Sequence, residues 1–180
     1  HDVDKTGSID YPTDLQFLKS VGRRYYGGFE NKVSYKNISL SFMFQFVNQT
    51  GYNYLRNFSN PGTLSNQPSV VLSRWRKPGD KTDVEQYTSD VTPAFFAYLN
   101  AYSSDLILSD ASYIRLKNIS ISYDFPESFI SKLHGRTFRL YGQAQNIFTL
   151  THYKGLDPEN QNSGVLPPLR VLTVGLQFNF

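Results

Sequence analysis

Near its start the chain places oxygen-bearing side chains at alternating positions. Asp2, Asp4, Thr6, Gly7, Ile9 and Asp10 fall at positions 1, 3, 5, 6, 8 and 9 of an EF-hand-type loop. In such a loop carboxylate and hydroxyl oxygens surround a calcium ion and the glycine permits a sharp turn. Asp2, Asp4, Thr6 and Asp10 are therefore candidate calcium ligands. Against this, the place that calls for a bidentate acid holds Thr13, with Asp14 one residue late. A plain polar surface loop is the competing reading. His1, His134 and His152 are isolated from one another, and no pair has the helical or strand spacing of a zinc site. No Gly-x-Ser-x-Gly elbow, Walker loop or dinucleotide-type glycine motif occurs, and the carboxylates are dispersed. We therefore expect no catalytic residues and no enzyme.

A second group able to bind something is aromatic. Trp75, between Arg74 and Arg76, and Tyr52, Tyr54 and Tyr87 lie in one long polar stretch, where amphipathic rings could stack on sugars or pack on a partner protein. Packing within the loop itself explains them equally well. The net charge of +3 is small and its cations are interleaved with acids, which gives nucleic-acid binding little support. There are no cysteines, hence neither disulfides nor thiolate metal sites.

The elements that would position these residues are strands. Arg170 to Phe180 alternates Leu172, Val174, Leu176, Phe178 and Phe180 with Thr173, Gly175, Gln177 and Asn179. Tilted near 45°, such a strand rises about 25 Å, the height of the apolar band of an outer-membrane barrel. Ile38, Leu40, Phe42, Phe44 and Phe46 alternate just as regularly with Ser39, Ser41, Met43 and Gln45. Period two and turn residues predict strands near 24–35, 38–47, 112–123, 137–148 and 170–180. Long loops are expected near 1–23, 48–111 and 149–168. Within them the pattern predicts a helical turn at Asp14–Lys19 and a helix entered through Thr92-Pro93; a further one or two turns over Pro126–Leu133 would stop at Gly135.

Short connectors at one end and long loops at the other are the layout of a transmembrane barrel. Hydrophobic content of 39% fits this as well as it fits a soluble protein, because alternate barrel residues face a polar lumen. Thirteen tyrosines and fourteen phenylalanines suit lipid-facing and interfacial positions. The fold class expected is all-β, the last strands of a transmembrane antiparallel barrel. Phe42, Phe44, Phe46, Leu176, Phe178 and Phe180 would face lipid. The alternative is a soluble extracellular β-sandwich that binds carbohydrate through its aromatic loop, the apolar faces being buried between two sheets.

Several segments then resemble one family. They are Asp110-Ala-Ser-Tyr-Ile-Arg-Leu-Lys-Asn-Ile-Ser-Ile-Ser-Tyr-Asp-Phe-Pro126, Leu140-Tyr-Gly-Gln-Ala-Gln-Asn-Ile-Phe-Thr149, Tyr153-Lys-Gly-Leu-Asp-Pro-Glu159 and Pro168-Leu-Arg170. With Tyr26-Gly-Gly-Phe29 and Asn31–Tyr35, they resemble, in order, the carboxy-terminal part of a SusC-type TonB-dependent transporter of the SusC/RagA-like family. The resemblance implies the last strands of a barrel of about 22, closed by a plug. It further implies import of glycan fragments or peptides across the outer membrane of a Bacteroidetes-type Gram-negative bacterium. The partners implied are a SusD-like surface lipoprotein and TonB. Plug, TonB box and most of the barrel would lie outside these 180 residues, and His1 would not be the translated start.

Overall fold

The computed structural model describes all residues except 1, 132–134 and 163. Its frame is one antiparallel sheet of β1 (Gly22–Tyr35), β2 (Ile38–Tyr52), β3 (Leu108–Asp110), β4 (Tyr113–Asp124), β5 (Thr137–Thr151) and β6 (Val171–Asn179). The spatial order is β1-β2-β4-β5-β6, with β3 continuing the ladder on β2. β1 and β6 are the edges, each paired on one side only.

Side-chain alternation and register together give the sheet two unlike faces. Across one row Val33, Leu40, Ile121, Gly142 and Val174 stand opposite one another, and across the next row on the same face Tyr35, Ile38, Tyr123, Leu140 and Leu176 do so. Many of these apolar side chains are exposed, among them Val33, Ile121, Val174 and Leu176. The opposite face is polar. There Ser41, Ser120, Gln143 and Thr173 form one row, and Lys32 and Arg139 border the same concavity. Among the described residues no second sheet covers the apolar face, so the sandwich alternative fails. An apolar face this extensive, left open to the surroundings, marks an interaction surface rather than scattered surface residues.

A β-bulge changes the pattern halfway along β4. From Tyr123 to Ile119 the odd residues share the apolar face, with Ile119 opposite Phe42. Lys117 has no ladder partner, and the next pairs are Leu116 with Phe44 and Ile114 with Phe46. The extra residue inverts the phase, so the even residues now join the apolar face and Arg115 turns to the polar one, opposite Gln45. β5 leaves register at the same level, where Asn146 has a φ of 52°.

The connections divide by end. β1 and β2 are joined through Lys36 and Asn37, and the Asn37 side chain donates to the Asp124 carbonyl at 2.7 Å, tying this turn to the end of β4. β4 and β5 are joined through α2 (Glu127–Ile130), entered through Pro126. The expected helical turns reached Leu133, and Lys132, Leu133 and His134 lie outside the described residues. At this end Phe125 stacks on Phe138 at 4.5 Å and on Phe129 at 5.2 Å, and Phe178 meets both Phe138 and Phe180 edge-on.

At the other end the long connections fold. The stretch expected as a loop over 48–111 contributes the last part of β2, the paired β3 and α1 (Pro93–Tyr102). Thr92 precedes α1 with extended backbone but makes no side-chain cap; its hydroxyl pairs with that of Thr88 at 3.0 Å. The turn expected at Asp14–Lys19 is not helical. The chain turns at Tyr11–Asp14 instead, through a 3.0 Å bond from the Asp14 amide to the Asp10 carbonyl, and Phe17 and Leu18 are exposed on an irregular stretch. Most buried apolar residues, including Val47, Val71, Ile107, Ala111 and Tyr113, lie at this end, which is where the molecule has its core.

Candidate functional site

Arg115 is the largest fully buried side chain, 1% exposed, and a guanidinium survives such burial only when its donors are paired. Its Nη2 meets the Asp157 carboxylate, Nη1 donates to Glu159 Oε2 at 2.8 Å and Nε to Thr149 Oγ1 at 3.0 Å. Lys117, the bulged residue, adds a 3.0 Å bond from Nζ to Glu159 Oε2. Asp157 is itself held, its Oδ1 accepting the Glu159 and Asn160 amides at 2.9 and 3.2 Å. Two cations of β4 thus clamp two acids from the connection between β5 and β6.

Neighbouring bonds fix the same connection to β2 and to the turn that follows it. Gln49 Nε2 donates to the Pro158 carbonyl at 2.7 Å, Tyr153 Oη to the Tyr52 carbonyl at 2.7 Å, and the Tyr54 amide to the Lys154 carbonyl at 3.0 Å. Burial, with Asp157 next, holds the Tyr153 hydroxyl above its ordinary range. Next to the clamp, Gln45 Oε1 and Tyr113 Oη are buried without a partner. The arrangement can fix a loop across the polar face of a sheet.

The acidic loop gathers a different trio from the one its spacing suggested. Carboxylate oxygens of Asp2, Asp4 and Asp14 lie within 4.8 Å of one another. Asp10 is outside that group and accepts from Ser8 Oγ at 2.7 Å, and Thr6 Oγ1 donates to the Ser8 carbonyl at 3.4 Å. Backbone amides already serve the three acids: Gly7 to Asp2 at 2.8 Å, Thr6 to Asp4 at 3.2 Å, and Val3 and Asp10 to Asp14 at 2.6 and 2.7 Å. The bonds from Asp10 and Val3 hold the Asp14 carboxyl below its ordinary value. A set of carboxylate oxygens suits a hard cation, and three of them supply part of the six to eight oxygens that calcium takes. No histidine joins this group among the described residues; His152 is exposed past β5, and His1 and His134 lie outside those residues.

The four aromatic candidates do not form one platform. The Arg56 guanidinium covers Tyr52 and that of Arg74 covers Tyr87, each 3.6 Å from the ring centre. Trp75 is half-buried and its amide donates to the Val84 carbonyl at 2.9 Å. Tyr54 lines a cavity inside the long connection, in edge contact with Phe58.

A sheet that is apolar and open on one face, polar on the other, and roofed at one end by clamped loops is a segment of β-barrel wall. No protein-family model matches the chain. It is similar to TonB-dependent receptor P3 of Formosa agariphila, 31% identical over 195 residues, a match covering 99% of this chain and 18% of that receptor. It is also similar to TonB-dependent receptor SusC of Bacteroides thetaiotaomicron, 28% identical over 189 residues, covering 99% of this chain and 17% of SusC. Among solved structures, the RagAB peptide importer in its open-open state matches with a TM-score of 0.73 and 30% identity, over 100% of this chain and 20% of that one. The chain belongs to the SusC/RagA-like TonB-dependent receptors and corresponds to their carboxy-terminal barrel region. It spans about a fifth of the length of these relatives.

Proposed function

We propose that this segment forms part of the wall and outer mouth of an outer-membrane, TonB-energised importer of glycan fragments or peptides that works with a SusD-like lipoprotein. The observation that carries the proposal is the two-faced sheet, apolar on one face and polar on the other, in a chain that matches such receptors along its whole length. Phe42, Phe44, Phe46, Leu176, Phe178 and Phe180 face lipid, and Lys32, Ser41 and Gln143 face the lumen. The long connections, with the Arg115 clamp beneath them, lie on the extracellular side near the lipoprotein; the turns at Lys36-Asn37 and α2 lie on the periplasmic side. The lipoprotein captures cargo, the barrel mouth receives it, and plug movement driven through TonB admits it. A peptide cargo is favoured by the solved relative, which is a peptide importer.

The test is fractionation with uptake. The receptor carrying this segment is expected in detergent-extracted outer membrane, and cells are expected to accumulate labelled peptide or oligosaccharide only when energised. Recovery in the aqueous fraction, or uptake indifferent to an uncoupler, would refute the reading. A second property is supported by the convergence of Asp2, Asp4 and Asp14, which we assign as calcium ligands in place of the set containing Asp10. Calorimetry with calcium should show binding that Asp2→Asn weakens; identical heats in variant and parent would refute it.

A further inference from the structure

The connection between β2 and β3 folds around a cavity of about 240 Å³. Its wall is largely rings and aliphatic groups: Tyr54 and Phe58 in edge contact at 6.0 Å, Tyr98 and Tyr102 of α1 at 5.9 Å, and Val71. Tyr98 Oη donates to the Phe58 carbonyl at 2.6 Å, so it is the ring that remains for an occupant. Polar residues also line it, among them Asn53, Asp83 and Lys154, and two others bear directly on an occupant. Gln67 donates through Nε2 to Thr63 Oγ1 at 3.0 Å, while its Oε1 is buried without a partner. Glu85 also lines the cavity, and burial pushes its carboxyl above the ordinary range. Among the described residues no ion pair reaches Glu85; Lys154, which borders the same cavity, is exposed.

Gln67 Oε1 and the part-buried Glu85 carboxylate are both acceptors, and the first, buried without a donor, costs free energy that a cationic donor would offset most fully. The volume is below the roughly 300–1,000 Å³ of sites that enclose whole small molecules, so the cavity fits a side chain. Aromatic faces attract cations. The same connection already uses that geometry twice, where Arg56 and Arg74 lie on tyrosine rings.

We propose that this cavity receives the lysine or arginine side chain of a peptide, its cationic end donating to Gln67 Oε1 and the Glu85 carboxylate and its stem lying against Tyr54, Phe58 and Tyr98. The assignment rests on the importer reading and adds a side-chain subsite for its cargo. The test is calorimetry on the intact receptor in detergent, with N-acetyl-arginine amide and N-acetyl-lysine amide against N-acetyl-norleucine amide. The basic probes are expected to bind at least about tenfold more tightly than norleucine. Glu85→Gln and Gln67→Leu should each weaken the arginine probe on the order of tenfold while leaving norleucine unchanged. A heat-dependent gel shift confirms that each variant is a folded barrel. Equal affinity for arginine and norleucine, no arginine binding by the parent, or unchanged arginine affinity in Glu85→Gln overturns the proposal. These outcomes are separate from those of the importer reading, since energised uptake of neutral peptides should persist in Glu85→Gln.

Discussion

Replacing Arg115 with methionine keeps much of its bulk and removes every charge-assisted bond it makes. Two acids then lose their partner, but not equally. Glu159 is about a quarter exposed and keeps Lys117 at 3.0 Å, whereas the Asp157 side chain is 7% exposed and retains only backbone amides. Breaking a buried pair from one side costs roughly 3–5 kcal/mol, most of it for the stranded charge. The stitching from Gln49 and Tyr153 survives, so the loss should appear as local opening of the connection between β5 and β6 rather than global unfolding. Such a cost corresponds to roughly a hundred- to several-thousand-fold rise in the open population. Limited proteolysis of the intact receptor in detergent reads that population where reclosing is fast, and cleavage within 152–168 should accelerate accordingly. Adding Asp157→Asn to Arg115→Met removes the stranded charge while leaving an acceptor for the Glu159 and Asn160 amides, and should recover much of the loss. Cleavage of Arg115→Met at the parental rate, or a double variant worse than the single one, would refute the argument that Asp157 is the penalised group.

Deleting Lys117 alone should remove the bulge while keeping Leu116 on the apolar face and Arg115 on the polar one, so the barrel should still assemble, whereas deleting Leu116 and Lys117 together should put Arg115 in the lipid-facing phase and block assembly in the outer membrane. Equal tolerance of the two deletions would count against this assignment of faces. Phe44→Arg and Leu176→Arg should each cost about 2–4 kcal/mol in barrel stability, and Ser120→Arg on the polar face far less, measured by urea titration of the heat-shifted gel band. Gln45, otherwise the obvious polar-face control, stands opposite Arg115 and would add like-charge repulsion. Single cysteines at Ser65 and Asn162 should label in intact cells and one at Ser128 should not; the reverse pattern would invert the topology. Because the Asp10 and Val3 amides hold Asp14 below its ordinary 3.8, order in the acidic loop is present above that unfolded value and lost as pH falls through the lower folded one. Amide exchange at Val3 and Asp10 should accelerate in acid in the parent; in Asp14→Ala it should be fast at neutral pH, and slow exchange there would exclude Asp14 as the acceptor.

What the sequence disclosed and what it concealed follow one physical rule. From Ile38 to Phe46 and from Leu172 to Phe180 nothing interrupts the period of two, so strand and face could be read together. Past Phe46 the pattern dissolves, because Val47 and Gln49 turn inward against folded loops rather than a polar lumen, and the strand's continuation to Tyr52 had no signature. Likewise Asp14 sits one place beyond the calcium-loop spacing, and only the turn at Tyr11–Asp14 brings it to Asp2 and Asp4. The Arg115 clamp was hidden most deeply. Extending the alternation of Ile119, Ile121 and Tyr123 back along β4 puts Arg115 and Lys117 on the lipid side, where a charge is costly. That contradiction was itself a signal: two cations at apolar-phase positions within a strand imply a bulge between them and the regular stretch. A bulge in turn implies acids on the inner side to receive them. Asp157 and Glu159, in a segment already singled out for its resemblance, were the acids waiting to be paired. The clamp therefore belongs to the reasoning that fixes the sheet's faces, since the residue that breaks the period is also the one that aims the buried arginine.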